Sequence, residues 1–101
     1  MAIRLIVLDI LKPHEPNIVE MAAEIAKCKG VSGCNFAVFE IDKNVENVKL
    51  TIEGEDINFS EIKKLIDKVG ATIHSIDEVA AGNKLIREVT TPQDRESKFL
   101  R

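Results

Sequence analysis

The residues of this chain best suited to chemistry are two histidines and a set of carboxylates: Asp9, His14, Glu15, Glu40, Asp42 and His74. Carboxylate and carbonyl oxygens gathered at one place can hold a hard cation such as calcium. An imidazole within reach of a carboxylate can also move protons near neutral pH, so His14 or His74 with Asp9 or Glu15 would make an acid–base pair. A second acidic group, Glu53, Glu55, Asp56, Asp77 and Glu78, offers the same oxygen chemistry, with Arg4 available as an ion-pair partner. The plainer reading of both groups is solvated surface charge, with Asp56 serving a helix N-terminus.

Other patterns fail on geometry. His74-Ser75-Ile76-Asp77 has the residue types of a hydrolytic triad. On a strand, however, adjacent side chains point to opposite faces, so His74 and Ser75 cannot share a proton. Cys28 and Cys34 have no histidine close in sequence and no Cys-x-x-Cys spacing, which argues against zinc. Cys34 reads as a small core residue facing the helices.

Placing the acidic residues requires the elements that carry them. Ile3–Leu11 is nearly continuous in apolar residues, the pattern of a central strand covered on both faces. The run Lys12-Pro13-His14-Glu15-Pro16 is expected to break it. Asn17 and Glu20 form a capping-box signature, followed by Ile18, Ala22, Ile25 and Ala26 at helical spacing and by Gly30 as a stop. Alternation predicts a second strand from Cys34 to about Asp42. Lys43–Asn47 is then a polar hairpin loop, and Val48, Leu50 and Ile52 mark a third strand. Asn58 and Glu61 repeat the cap, Ile57 and Ile62 are placed to staple it, and Phe59, Ile62, Leu65, Ile66 and Val69 form an apolar stripe ending at Gly70. Ala71–Val79 is a fourth strand.

Two strand–helix–strand halves with right-handed crossovers specify an α+β ferredoxin-like βαββαβ sandwich. This is a four-stranded antiparallel sheet with both helices on one face. Strand 3 then lies between strands 1 and 2, and strand 1 between strands 3 and 4. The domain spans 1–82. The extension 83–101 is expected to add a short edge strand over Lys84–Val89 and then a loose tail. The second sheet face is expected to be open, with Phe39 and Ile41 beside Lys49 and Thr51, a half-apolar surface that marks an association site. Asp9, His14, Glu15, Glu40, Asp42 and His74 fall at one end of this sheet.

Composition narrows the partners. The chain has 101 residues with 45% hydrophobic and 31% charged side chains, enough for one thin core but no second domain. Its net charge of −3 argues against a nucleic-acid backbone as partner. No apolar run is long enough to span a membrane, and Ala2–Leu11 is too short for a signal peptide. A cytoplasmic setting with reduced thiols is the expectation. Trp and Tyr are absent, so aromatic platforms for stacking a base are scarce.

Three segments carry a resemblance: Leu8-Asp9-Ile10-Leu11-Lys12-Pro13-His14-Glu15-Pro16, Thr51-Ile52-Glu53-Gly54, and Ile73-His74-Ser75-Ile76-Asp77-Glu78-Val79. The chain resembles, over nearly its whole length, an uncharacterised archaeal family known as domain of unknown function 211. That resemblance implies a ferredoxin-like fold and ring-like oligomers that bind calcium, with no assigned activity. Amino-acid-binding regulatory domains, which have no such rigid motif, stay open, but three better-known functions of the fold lack their residues here. Copper chaperones carry Cys-x-x-Cys where this chain has Pro13-His14-Glu15-Pro16, acylphosphatases carry a phosphate-cradling loop with arginine, and RNA-recognition domains carry sheet aromatics.

The expectation is therefore a homo-oligomeric binding and assembly module rather than a catalyst. Ligand-binding candidates are Asp9, His14, Glu15 and His74, and calcium candidates are Asp9, Glu15, Asp77 and Glu78. The alternatives are a small enzyme using histidine–carboxylate chemistry, or a structural subunit of a larger complex whose extension from Asn83 onward pairs with another chain.

Overall fold

A computed structural model describes residues 2–90 of the chain. Element order is β1 (Ile3–Pro13), α1 (Ile18–Ala26), β2 (Val31–Ile41), β3 (Val45–Gly54), α2 (Phe59–Lys68) and β4 (Thr72–Ala81). The strands form one sheet in the order β2-β3-β1-β4, antiparallel at every junction. This is the expected ferredoxin-like arrangement, with β3 and β1 central.

The helix-covered face holds the main core. Ile6, Leu8 and Ile10 of β1 and Val48, Leu50 and Ile52 of β3 pack with Ile25 of α1 and with Ile62 and Ile66 of α2, all essentially without exposure. Burial of aliphatic side chains at this density is the main source of stability, at roughly 1.5–3 kcal/mol each. In α1 the buried residues are Met21 and Ile25, while Ala26, expected on the apolar face, is exposed. Ile25 lies about 40° around the helix axis from Met21 and Ala26 about 140°, so the stripe is centred on Met21 and Ile25.

Both helix caps form, but differently. At α1, Asn17 Oδ1 accepts the Glu20 N–H at 2.9 Å and Glu20 accepts the Asn17 N–H at 3.2 Å, completing the box. At α2, Asn58 Oδ1 accepts the Glu61 N–H at 3.1 Å, but the Glu61 carboxylate instead accepts the Lys29 N–H at 2.9 Å. This side chain therefore stitches the turn after α1 to the first turn of α2. The stitch is close because Gly30, with φ +85°, and Gly54 let two backbones meet: a Cβ on Gly54 would stand 1.9 Å from the Gly30 carbonyl oxygen.

Several expected boundaries move, β2 starting three residues early at Val31 and β4 running on to Ala81. β1 continues through Lys12 and Pro13, pairing Lys12↔Glu46 and Pro13↔Val45. On its other side, pairing with β4 stops at Leu11↔Thr72, so no neighbour there needs the N–H that Pro13 lacks. Val45, Glu46 and Asn47 belong to β3 rather than to the hairpin loop, which shrinks to a turn closed by the Asp42 N–H donating to the Val45 carbonyl at 2.8 Å. Polar residues at strand ends pair through their backbones without needing apolar burial. No strand forms over Lys84–Val89, which has irregular backbone; the loose tail expected beyond it falls on residues 91–101, outside the described residues.

The second sheet face is also not bare. Leu5, Val7 and Ala80 on that face are buried, with Leu85 packed against them. The segment after β4 is held by Arg4 Nε donating to the Gly82 carbonyl at 2.7 Å, by an Arg87–Glu53 ion pair, and by the Glu88 N–H donating to Glu78 at 3.2 Å. The segment thus lies as a strap over the face. Phe39 and Ile41 do not share that face with Lys49 and Thr51 in regular alternation. A register shift between Val38 and Glu40 leaves Phe39 at the irregularity and sets Ile41 opposite Glu46, which faces Lys12 on the helix side.

Candidate functional site

Among the described residues, the best-organised polar cluster lies where β1 leaves the sheet beside the β2–β3 turn. The even-numbered side of β1 runs Ile6, Leu8, Ile10 and then Lys12, so the chain carries a lysine into the position of the next core residue. Lys12 is completely buried. Its Nζ donates to Glu46 Oε1 at 3.1 Å, to the Pro13 carbonyl at 2.7 Å and to the His14 carbonyl at 3.4 Å. All three ammonium hydrogens can be used, which offsets the cost of burying the charge.

The second Glu46 oxygen, Oε2, lies 2.9 Å from His14 Nδ1, and His14 Nε2 lies 2.9 Å from the Lys43 carbonyl. Both ring nitrogens therefore face acceptors. Neutral imidazole has one N–H and cannot satisfy both, whereas imidazolium can. Hydrogen bonding to Glu46, and then to the Lys43 carbonyl, raises the His14 pKa above its usual 6.5. The same bond from His14, reinforced by Lys12, lowers the Glu46 pKa. His14 lines neither the cavity at the start of β2 nor the one bounded by Ile3, Ile6, Phe59, Ile76 and Val79, and removing a proton from it breaks one of its two bonds. Its partner is Glu46, not Asp9 or Glu15.

The other candidates are dispersed. Asp9 sits on the strap side of β1, opposite Lys49 and Ser75; its Oδ1 and that of Asn47 are buried without a hydrogen-bond partner. Glu15 is exposed in the loop before α1, Glu40 is exposed on β2, and Asp42 caps the Lys43 N–H. His74 is exposed on β4. Asp77 accepts the Ser75 hydroxyl at 2.7 Å, and Glu78 accepts the Glu88 N–H at 3.2 Å. Arg4, expected to pair with a carboxylate, bonds the Gly82 carbonyl instead. Among the described residues, no three of His, Cys, Asp or Glu gather so as to hold a metal ion.

Cys28 and Cys34 are free thiols. Burial raises both pKa values, and each Sγ is within bonding range of a helix α1 carbonyl, Glu24 at 3.6 Å and Ala22 at 3.5 Å. They are core residues, as expected for Cys34. Among the described residues, no helix is long and apolar enough to cross a membrane.

Residue type alone does not single out Lys12 and Glu46. A signal was present: a charge continuing the buried alternation Ile6, Leu8, Ile10 calls for a counter-charge on the neighbouring strand, and register supplies Glu46.

A family model described as DUF211, uncharacterized ArCR, matches residues 4–95. The chain is 59% identical over 93 residues to "Uncharacterized protein MJ0319" of Methanocaldococcus jannaschii, covering 92% of this chain and 96% of that protein.

Proposed function

The chain belongs to the archaeal DUF211 family of uncharacterized proteins, and from that premise we propose that it is an assembly module whose copies join through the two edges of the sheet. The observation carrying this reading is that large apolar side chains stand exposed on both edge strands. On β2 these are Phe39 at 64% and Ile41 at 68%; on β4 they are Ile76 and Val79 at 54% each. Long edge strands with exposed apolar residues are templates for pairing, and soluble proteins normally blunt them with charge or cover them. The central sheet face, in contrast, already has Leu85 as its cover.

The two edges differ in sequence, so contact between β2 of one copy and β4 of the next is heterologous, and such contacts give rings when the rotation closes. Among the described residues of a single chain, no three of His, Cys, Asp or Glu converge to hold calcium. A calcium ion in this assembly would take oxygens from two copies, with the exposed Asp77 of the β4 edge among the available donors.

Size-exclusion chromatography with light scattering, with and without calcium, tests the reading. A multimer is expected for the native chain, and a monomer for the double variant Phe39→Glu, Ile41→Glu. A monomeric native chain at every protein and calcium concentration overturns it.

A further inference from the structure

A cavity of about 350 Å³ opens where β2 begins, lined by Ser32, Gly33, Cys34, Asn35, Thr51 and Glu53. Volumes in this range accommodate small ligands. Gly33 of β2 stands in its wall. A strand-interior glycine weakens the strand and commonly marks a bulge or the close approach of a ligand or another backbone.

Neither conformation nor packing within the chain demands this glycine. Gly33 is absent from the positive-φ residues, and a Cβ built on it meets nothing within 4 Å. Gly30 and Gly54, in contrast, would each drive a Cβ to 1.9 Å from a backbone oxygen. A register shift falls between Val31 and Gly33, but a bulge of that kind does not exclude a side chain when φ is ordinary.

The polar groups at the cavity are two hydroxyls, a carboxamide and a carboxylate. Gly33 pairs directly with Glu53, and Asn35 with Thr51, so these residues share one side of the sheet. The Glu53 carboxylate already binds a guanidinium, that of Arg87. Arg87 comes from the strap, whose backbone is irregular, and its side chain is 60% exposed. Such an ion pair contributes little to stability and is readily exchanged.

We propose that the cavity beside Gly33 is a binding site for a small organic cation bearing a guanidinium group, which takes the Glu53 carboxylate over from Arg87. Arg87 is then an internal stand-in for the ligand, and its side chain moves aside when the ligand enters while Leu85 stays seated. Ser32, Asn35 and Thr51 supply hydrogen bonds to the ligand's polar body. The site lies at the opposite end of β2 from Phe39 and Ile41, the apolar edge residues used above, so the Phe39→Glu, Ile41→Glu variant separates loss of self-association from loss of binding.

Titration of the full chain with agmatine, followed by amide NMR shifts, tests this. Saturable shifts are expected at Ser32, Gly33, Asn35, Thr51 and Glu53, together with a change at the Arg87 side chain. Arg87→Ala removes the competitor and is expected to tighten binding roughly twofold to fivefold, the weight of an exposed ion pair. Gly33→Val fills the cavity without backbone strain, and Glu53→Gln removes the charge; each should abolish the saturable shifts while thermal unfolding shows a folded chain. Shifts scattered over the acidic surface, a Gly33→Val variant that binds as the native chain does, or no saturable binding even in Arg87→Ala overturns the proposal.

Discussion

The Lys12 ammonium lies 3.1 Å from Glu46 Oε1, with the lysine side chain wholly enclosed and the glutamate 15% exposed. The pair is asymmetric: the cation cannot reach water, whereas the anion retains some and has His14 as well. Removing one partner of a buried pair is costly mainly because the other is left uncompensated. Glu46→Ala is therefore expected to destabilise the fold by about 3 kcal/mol. Lys12→Met keeps the aliphatic volume and removes the buried charge, leaving the Pro13 and His14 carbonyls without their donor at a cost of about 1–2 kcal/mol. Urea unfolding of the two variants checks the order. A larger loss for Lys12→Met than for Glu46→Ala contradicts the asymmetry.

His14 makes this corner pH-sensitive. Its folded-state pKa is raised by the Glu46 bond, so its contribution is complete below the unfolded value of about 6.5 and is lost as pH rises through the higher folded value. Glu46 has a lowered folded-state pKa, so its contribution is present above the unfolded carboxylate value and is lost as pH falls through the folded one. Both charges are in place between these limits, facing Lys12 and the Lys43 carbonyl. The stability difference between the native chain and His14→Ala should be greatest in that interval and shrink above it. An NMR titration of the His14 ring is expected to give a midpoint above 6.5, falling in Glu46→Gln. A midpoint at or below 6.5 in the native chain contradicts the bonding described.

The fold was legible because its signals are local and repeated: two Asn-x-x-Glu starts, two glycine stops, and strands whose alternation separates core from surface. Where the reading missed, the cause was pairing across strands. Nothing near Glu46 in sequence announces that it faces Lys12, because that contact is set by β1–β3 register. The open face was misjudged for a related reason. Ile86 and Val89 are exposed while Leu85 packs inward, and in an irregular segment no periodicity distinguishes them. The acidic residues proved hardest to place, since a carboxylate's partner depends on loop and register geometry that residue type does not encode.

The junction of the two halves depends on a backbone approach that only glycine permits. A Cβ at Gly54 would lie 1.9 Å from the Gly30 carbonyl oxygen and 2.9 Å from Ile57 Cγ1. The Glu55 N–H donates to that same carbonyl at 3.1 Å, so the backbone cannot withdraw without losing a bond. Gly54→Ala is expected to cost about 3 kcal/mol, the upper end for overpacking. Gly33→Ala, where nothing lies within 4 Å, should change stability by no more than about 0.5 kcal/mol. Thermal unfolding of the pair provides the contrast, and equal effects contradict the close approach.

Leu85 decides whether the strap is a structural part of the fold or a passive extension. It contacts the Leu5, Val7 and Ala80 cluster, and its neighbours Arg87 and Glu88 add only an exposed ion pair and one bond to Glu78. Exposed pairs contribute little, so beyond the Arg4–Gly82 bond at its start the apolar contact holds the segment in place. Leu85→Ala is expected to cost about 1 kcal/mol, scaled down from full burial because the side chain is only partly covered. Its larger effect should be local: backbone amides from Asn83 to Glu88 exchange faster, Glu53 loses Arg87, and Leu5 and Val7 bind a hydrophobic dye. Arg87→Ala alone should leave Leu85 seated and dye binding unchanged. If Leu85→Ala leaves amide exchange in the segment untouched, the strap is held by its polar contacts and the apolar seat is incidental.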